Sequence, residues 1–167
     1  DVPVWLWGLR AGALLACDAG RSAPHPVNLL FWQPAVAGKL LVQQFLRLKA
    51  AGNLADGNAK AIMEQARTAL AAGQPVHVGG YWLSAQLAQG LEAASMTPLP
   101  RKGRVVWLEV AQRPDASLSP VAMSTIGRWQ DSGHEVLGAV VTGPAFWQTT
   151  EIEDAPALIP ATVAALT

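Results

Sequence analysis

Residues Val2 to Ala16, Val-Pro-Val-Trp-Leu-Trp-Gly-Leu-Arg-Ala-Gly-Ala-Leu-Leu-Ala, join an apolar strand-like run to an apolar helix-like run through a turn punctuated by two glycines. The spacing Gly8-Leu9-Arg10-Ala11-Gly12 lets a strand reverse sharply into a helix and lifts the middle side chain above the sheet. That middle residue is Arg10. A guanidinium stays protonated in proteins and has no lone pair with which to attack a carbonyl, so Arg10 cannot be a nucleophile. The stretch combines the spacing of a catalytic turn with a side chain unfit for nucleophilic chemistry.

The rest of the chain is apolar enough to support such a turn: 167 residues, 51% hydrophobic, suffice for one domain with a real core or for part of a larger one. Twelve basic and twelve acidic residues cancel, and the densest basic run is Arg101-Lys102-Gly103-Arg104, which argues against a nucleic-acid or anionic-membrane partner. Cys17, the one cysteine, has no partner for an internal disulfide and falls in the apolar helix, where a small buried thiol is expected. No signal peptide, lipidation motif or apolar run of about 18 residues stands out, so a cytoplasmic chain without a membrane span is expected. The chain opens inside a strand, Asp1-Val2-Pro3-Val4, without an initiator Met, as a fragment of a longer domain would.

Taken in order, Val4 to Trp7 predicts a strand covered on both faces, Leu9 to Ala19 a helix closed by Gly20, and Val27 to Trp32 a second strand ended by Gln33-Pro34. Strand, helix and strand so closely spaced form a right-handed βαβ unit with parallel neighbouring strands. From Ala35 to Pro100 the grammar changes. Leu40, Leu41, Phe45 and Leu48 recur at helical spacing, as do Ile62, Met63, Ala66 and Leu70, and then Leu83, Leu87 and Leu91. Turns are expected at Gly52-Asn53, Asp56-Gly57-Asn58 and Gly73-Gln74-Pro75, and Val76 to Tyr81 reads as a short strand or an extended loop. An insertion this long is more than a βα connection and reads as a helical cap or lid. Strand grammar returns at Arg104 to Val110, followed by a helix over Pro120 to Asp131 ended by Gly133, a last strand over Val136 to Val141, and a closing helix over Ala155 to Leu166. The expected fold class is α/β, a mostly parallel sheet flanked by helices with a helical insertion.

At residue level, Val4-Trp5-Leu6-Trp7-Gly8-Leu9-Arg10-Ala11-Gly12-Ala13-Leu14-Leu15-Ala16, Leu30-Phe31-Trp32-Gln33-Pro34, Gln44-Phe45-Leu46-Arg47 and Gly143-Pro144-Ala145-Phe146-Trp147-Gln148-Thr149 resemble the α/β-hydrolases, and among them the exosortase A system-associated hydrolases of the second type. The resemblance covers almost the whole chain. It implies an α/β-hydrolase fold seen without its N-terminal strands: core elements over residues 1–34, a cap over 35–100 and the C-terminal core over 101–167. It also implies hydrolysis of an ester, thioester or amide in an exopolysaccharide-associated system, on a small-molecule, acyl or glycan-type ligand, with the missing N-terminal part of the same domain as a partner. In the family pattern Asp115 matches the acid, Arg10 occupies the nucleophile position and Ala145 the histidine position, so the triad is degenerate.

The remaining candidates do not fill those gaps. His25 precedes a strand, at the sheet end opposite the turn, and is expected in a loop or at the surface; His134 likewise precedes the last strand and is expected far from the site; His77 belongs to the cap. Ser117, Ser119, Thr149 and Thr150 lie near strand ends without a base at a recognisable offset, so capping or turn bonding is their expected work. No cofactor or metal is expected, because no His/Cys/Asp/Glu cluster has ligand spacing and phosphate-loop and dinucleotide fingerprints are absent. Two roles remain for Arg10. It pairs internally with Asp115, Glu109 or Glu151, or it joins the free amides of Ala11 and Gly12 at the positive end of the helix to hold an anion, with Trp32, Phe146 and Trp147 as apolar walls. Trp5, Trp7 and Trp107 are expected in the core.

Overall fold

Short apolar runs separated by helical segments leave parallel pairing as the way to bury both. The computed structural model, which describes residues 2–52, 58–148 and 151–167, realises this pattern. In chain order its elements are β1 (Trp5–Leu9), α1 (Gly12–Ser22), β2 (Asn28–Trp32), α2 (Gly38–Gly52), α3 (Ala59–Ala71), β3 (Val76–Val78), β4 (Tyr81–Leu83), α4 (Ala85–Ala93), β5 (Arg104–Ala111), α5 (Pro120–Asp131), β6 (Glu135–Thr142) and α6 (Leu158–Leu166). They fall into two compact units, Asp1–Val36 with Met96–Thr167, and Ala37–Ser95.

The first unit carries a four-stranded sheet in the order β1-β2-β5-β6. Every pair is parallel, with Trp5 opposite Asn28, Leu29 opposite Val105 and Arg104 opposite Glu135. All four strands therefore end along one edge, at Leu9, Trp32, Ala111 and Thr142. On one face Leu30, Val106, Leu108 and Val141 bury against Leu158 and Ala165 of α6. Elsewhere in the core Phe31 meets Trp107 and Trp129 edge-on, at centroid distances of 6.1 and 6.4 Å. Helix α5 has the start and stop expected of it. Ser119 Oγ accepts from the Ala122 amide, Pro120 opens the helix, and Gly133 leaves it at φ +84°.

Three expectations for this unit are corrected. Strand β1 is an edge strand paired only with β2, and it is not covered on both faces: Trp7 is 60% exposed and rests edge-on against Trp32 at 4.6 Å instead of entering the core. Trp5 is half-buried beneath the Arg104 guanidinium, and of Trp5, Trp7 and Trp107 only Trp107 is fully buried. Helix α1 starts at Gly12, since Arg10 is left-handed at φ +52°, and it runs through Gly20 to Ser22. Gly20 is there for space and not to end the helix; a Cβ at that position would lie 2.7 Å from Leu99 Cδ1.

The second unit packs α2, α3 and α4 with a hairpin around Val42, Leu46, Ala66, Leu70, Val76, Val78, Leu83, Ala85 and Ala88. The stretch left open as strand or loop is β3 paired antiparallel to β4. Gly79 and Gly80 turn it at φ +53° and +90°, the two positive values a two-residue hairpin of matching twist requires. Asn58 caps α3 and Ser84 caps α4 through side-chain oxygens. The turns expected at Gly52-Asn53 and Asp56-Gly57 involve residues 53–57, which lie outside the described residues. Two apolar stripes are corrected: α2 buries Leu41, Val42 and Leu46 and exposes Leu40, Phe45 and Leu48, while Leu83 belongs to β4 and Leu87 of α4 is exposed.

Candidate functional site

The turn after β1 is built from close approach. A Cβ on Gly8 would fall 2.4 Å from the Ala13 nitrogen and 2.5 Å from Gly12 C, so the first turn of α1 can sit over the end of β1 only with glycine there. Gly12 has open space around its Cβ position and is not sterically required. Between them the Arg10 backbone is fixed by three hydrogen bonds. Its amide donates to Trp32 O at 3.1 Å, and its carbonyl accepts from Ala13 at 3.2 Å and Ala35 at 3.1 Å. A left-handed non-glycine residue held this firmly is strain maintained by its surroundings.

The Arg10 side chain is half-buried, with its guanidinium carbon 5.7 Å from the centre of the Trp147 ring. Burial lowers its pKa from the ordinary guanidinium range, the expected direction for a cation losing water without gaining a counter-charge. The internal pair considered for it is not formed. Among the described residues the ion pairs are Arg21 with Asp18 and Arg104 with Glu135. Asp115 is exposed on the loop after β5, Glu151 is exposed, and Glu109 accepts from the Ser119 amide at 2.7 Å and its hydroxyl at 2.8 Å. Helix α1 has no side-chain cap, and the amides of Ala11 and Gly12 have no backbone partner among the described residues.

Beside Arg10 the strand ends bring four rings into a chain. Trp147 meets Phe146 at 5.2 Å, Phe146 meets Trp32 at 6.5 Å and 89°, and Trp32 meets Trp7 at 4.6 Å. Trp32 donates its indole N–H to Thr162 Oγ at 2.9 Å, whereas the buried Trp147 Nε1 has no partner among the described residues. Thus Arg10, Ala11, Gly12, Trp32, Phe146 and Trp147 gather at one sheet edge, and Asp115 stands apart from them in its bonding. Thr149 and Thr150 lie outside the described residues.

Within the sheet unit no histidine is associated with this edge. His25 is exposed ahead of β2, and His77 belongs to the second unit, ring against Trp82. His134 lies directly ahead of β6, at the opposite end of that strand from the turn, and is 6% exposed, with Nε2 3.1 Å from Leu99 O, Nδ1 3.3 Å from the Gly103 amide and Trp129 against its ring. It closes backbone groups ahead of β5 and β6. A polar residue directly after Gly133 gives no sign in sequence of which carbonyls it will meet. Cys17 is fully buried, and burial pushes its thiol up to about 12, so it stays a neutral core group. Among the described residues no group of His, Cys, Asp and Glu is placed to hold a metal ion. Also among them, no helix is long and apolar enough to cross a membrane.

Sequence reasoning missed Gln33. Left-handed at φ +41°, it donates its amide to Leu108 O and accepts from Val110 N through Oε1, both at 2.7 Å, and so extends the β2 to β5 pairing beyond the strand end. No family model, curated protein or solved structure matches the chain. What the fold defines is a class: an α/β protein whose four-stranded parallel sheet is flanked by helices.

Proposed function

We propose that the chain is a non-catalytic ligand-binding member of the α/β-hydrolase type, whose strand-to-helix turn holds an anionic group of its ligand. One observation carries this reading: a half-buried guanidinium with no carboxylate partner among the described residues, seated over the Trp147 ring in the turn whose two helix amides are uncapped. Stacking leaves the guanidinium edge free to donate to two oxygens. The amides of Ala11 and Gly12 add donors and the positive end of α1. A carboxylate, sulfate or phosphate would supply the counter-charge that burial makes Arg10 need.

The test is thermal unfolding of the protein and of Arg10→Gln in sulfate, in butyrate and in chloride at matched ionic strength. Ligand at a hundred times its Kd stabilises by about 2.7 kcal/mol, and Arg10→Gln should lose that increment. An equal response from both proteins overturns the reading.

A second reading, a hydrolase of esters, thioesters or amides in an exosortase-associated exopolysaccharide system, is favoured by the turn backbone itself. Left-handed φ at the central residue and an obligatory glycine two positions before it are what a nucleophile turn needs. Arg10 and Ala145 supply neither nucleophile nor base. Labelling by a serine-directed fluorophosphonate would favour this second reading, and silence the first.

A further inference from the structure

We infer a second ligand site, of the opposite charge preference, in the cleft between the Trp32 and Phe146 rings and the chain leading into α6: a receptor for a small methylated ammonium group. The cleft has a volume of about 360 Å³ and is lined by Trp32, Phe146, Glu153, Asp154 and Leu158 among others. That volume lies at the small end of the range for ligand pockets.

Its walls are fixed before anything binds. The Trp32 ring is held by its indole N–H to Thr162, by Thr162 Oγ donating to Leu158 O at 2.8 Å, and by Trp7 against it. Phe146 stands at 89° to it, so the two rings form a corner, and Leu158 below them is 1% exposed. Preorganised walls reduce the ordering cost of binding.

The chemistry selects the ligand. Ring faces attract a cation, and Glu153 and Asp154 add negative charge at the rim. Neither carboxylate has an ion pair among the described residues, and residues 151–167 hold three acids and no Lys or Arg. A hard metal ion asks for several oxygens and would face carbon on two sides here. A primary ammonium keeps a tight hydration shell. A methylated ammonium sheds water easily, fits a corner of two rings and is balanced by the carboxylates. This inference does not rest on the Arg10 proposal, which concerns an anion held by other donors.

The test is a titration of the ¹⁵N-labelled chain with choline, and in parallel with 3,3-dimethylbutan-1-ol, its uncharged isostere. The Trp32 indole N–H is the local reporter, assigned through Thr162→Val, and the exposed Trp82 indole is the control. We expect a saturable Trp32 shift with a millimolar Kd, at least about tenfold weaker binding of the alcohol, and a similar loss in Glu153→Gln/Asp154→Asn. Because both carboxylates are exposed, the double variant should unfold as the parent does, and Phe146→Leu gives a second probe should it not. Equal binding of choline and the alcohol, a Trp32 indole shift unaltered by the carboxylate variant, or no saturable shift would overturn the inference.

Discussion

Arg10 holds two properties that oppose each other. Its backbone occupies a left-handed conformation that costs a non-glycine residue on the order of 1 kcal/mol, while its side chain is the cation on which the proposed anion site depends. Glycine would relieve the backbone and remove the function. Arg10→Gly should therefore raise stability by up to about 1 kcal/mol in urea unfolding while abolishing the sulfate response. A loss of stability would instead assign Arg10 a structural role and count against the binding site. This conflict could be read from sequence in one respect only. Glycine spacing announced a sharp turn with Arg10 at its tip, but not whether the guanidinium would be paired. The pairing depended on where Asp115, Glu109 and Glu151 came to rest, and Glu109 had a nearer claim from Ser119. The rings were visible as residues at strand ends, yet their mutual angles, and the role of Glu153 and Asp154 beside them, arise only from packing.

Among the elements, the turn joining β1 to α1 separates two glycines that the sequence presents as equals. Gly8 would drive a Cβ into backbone, which has no rotamer to yield, whereas Gly12 faces open space at a helical position. Gly8→Ala should cost about 3 kcal/mol as forced overpacking, and Gly12→Ala should gain up to about 1 kcal/mol of helix propensity. Chemical denaturation of the two variants checks this; equal effects would mean that the turn relaxes freely. The strands, α5 with its cap and stop, and the βαβ start were legible because period and punctuation agree there. The facing of α2 was not. Leu40, Leu41, Val42, Phe45, Leu46 and Leu48 surround the helix with apolar side chains, so spacing alone admits more than one buried stripe. Strand β1 misled for a related reason: an all-apolar run predicts cover on both faces, but as an edge strand β1 leaves Trp7 exposed against Trp32.

How residues 37–95 join the chain decides what the sheet unit can do without them. The segment leaves and returns at one place. Met96 donates to Val36 O at 2.9 Å, Gly38 donates to Ala94 O at 2.9 Å, and Ala37 bridges Ser95 in antiparallel sense. Val36 and Met96 thus stand as the last pair of a narrow ladder, the spacing a two-residue hairpin turn spans. Beyond that pair the segment has a core of its own around Val42, Leu46, Leu70 and Val76. The sheet unit likewise has a core of its own, around Leu30, Val106, Leu108 and Val141 on one face and around the Phe31 and Trp107 rings. Replacing residues 37–95 with Asn-Gly should therefore leave a chain that unfolds cooperatively and retains the sulfate response of Arg10, because Arg10, Ala11, Gly12 and Trp147 all belong to the retained unit. Circular dichroism during melting, with and without sulfate, reads both properties at once. A cooperative melt without the sulfate response would place part of the ligand's hold in residues 37–95. A broad, non-cooperative melt would show that the four-stranded sheet relies on the inserted segment for its fold.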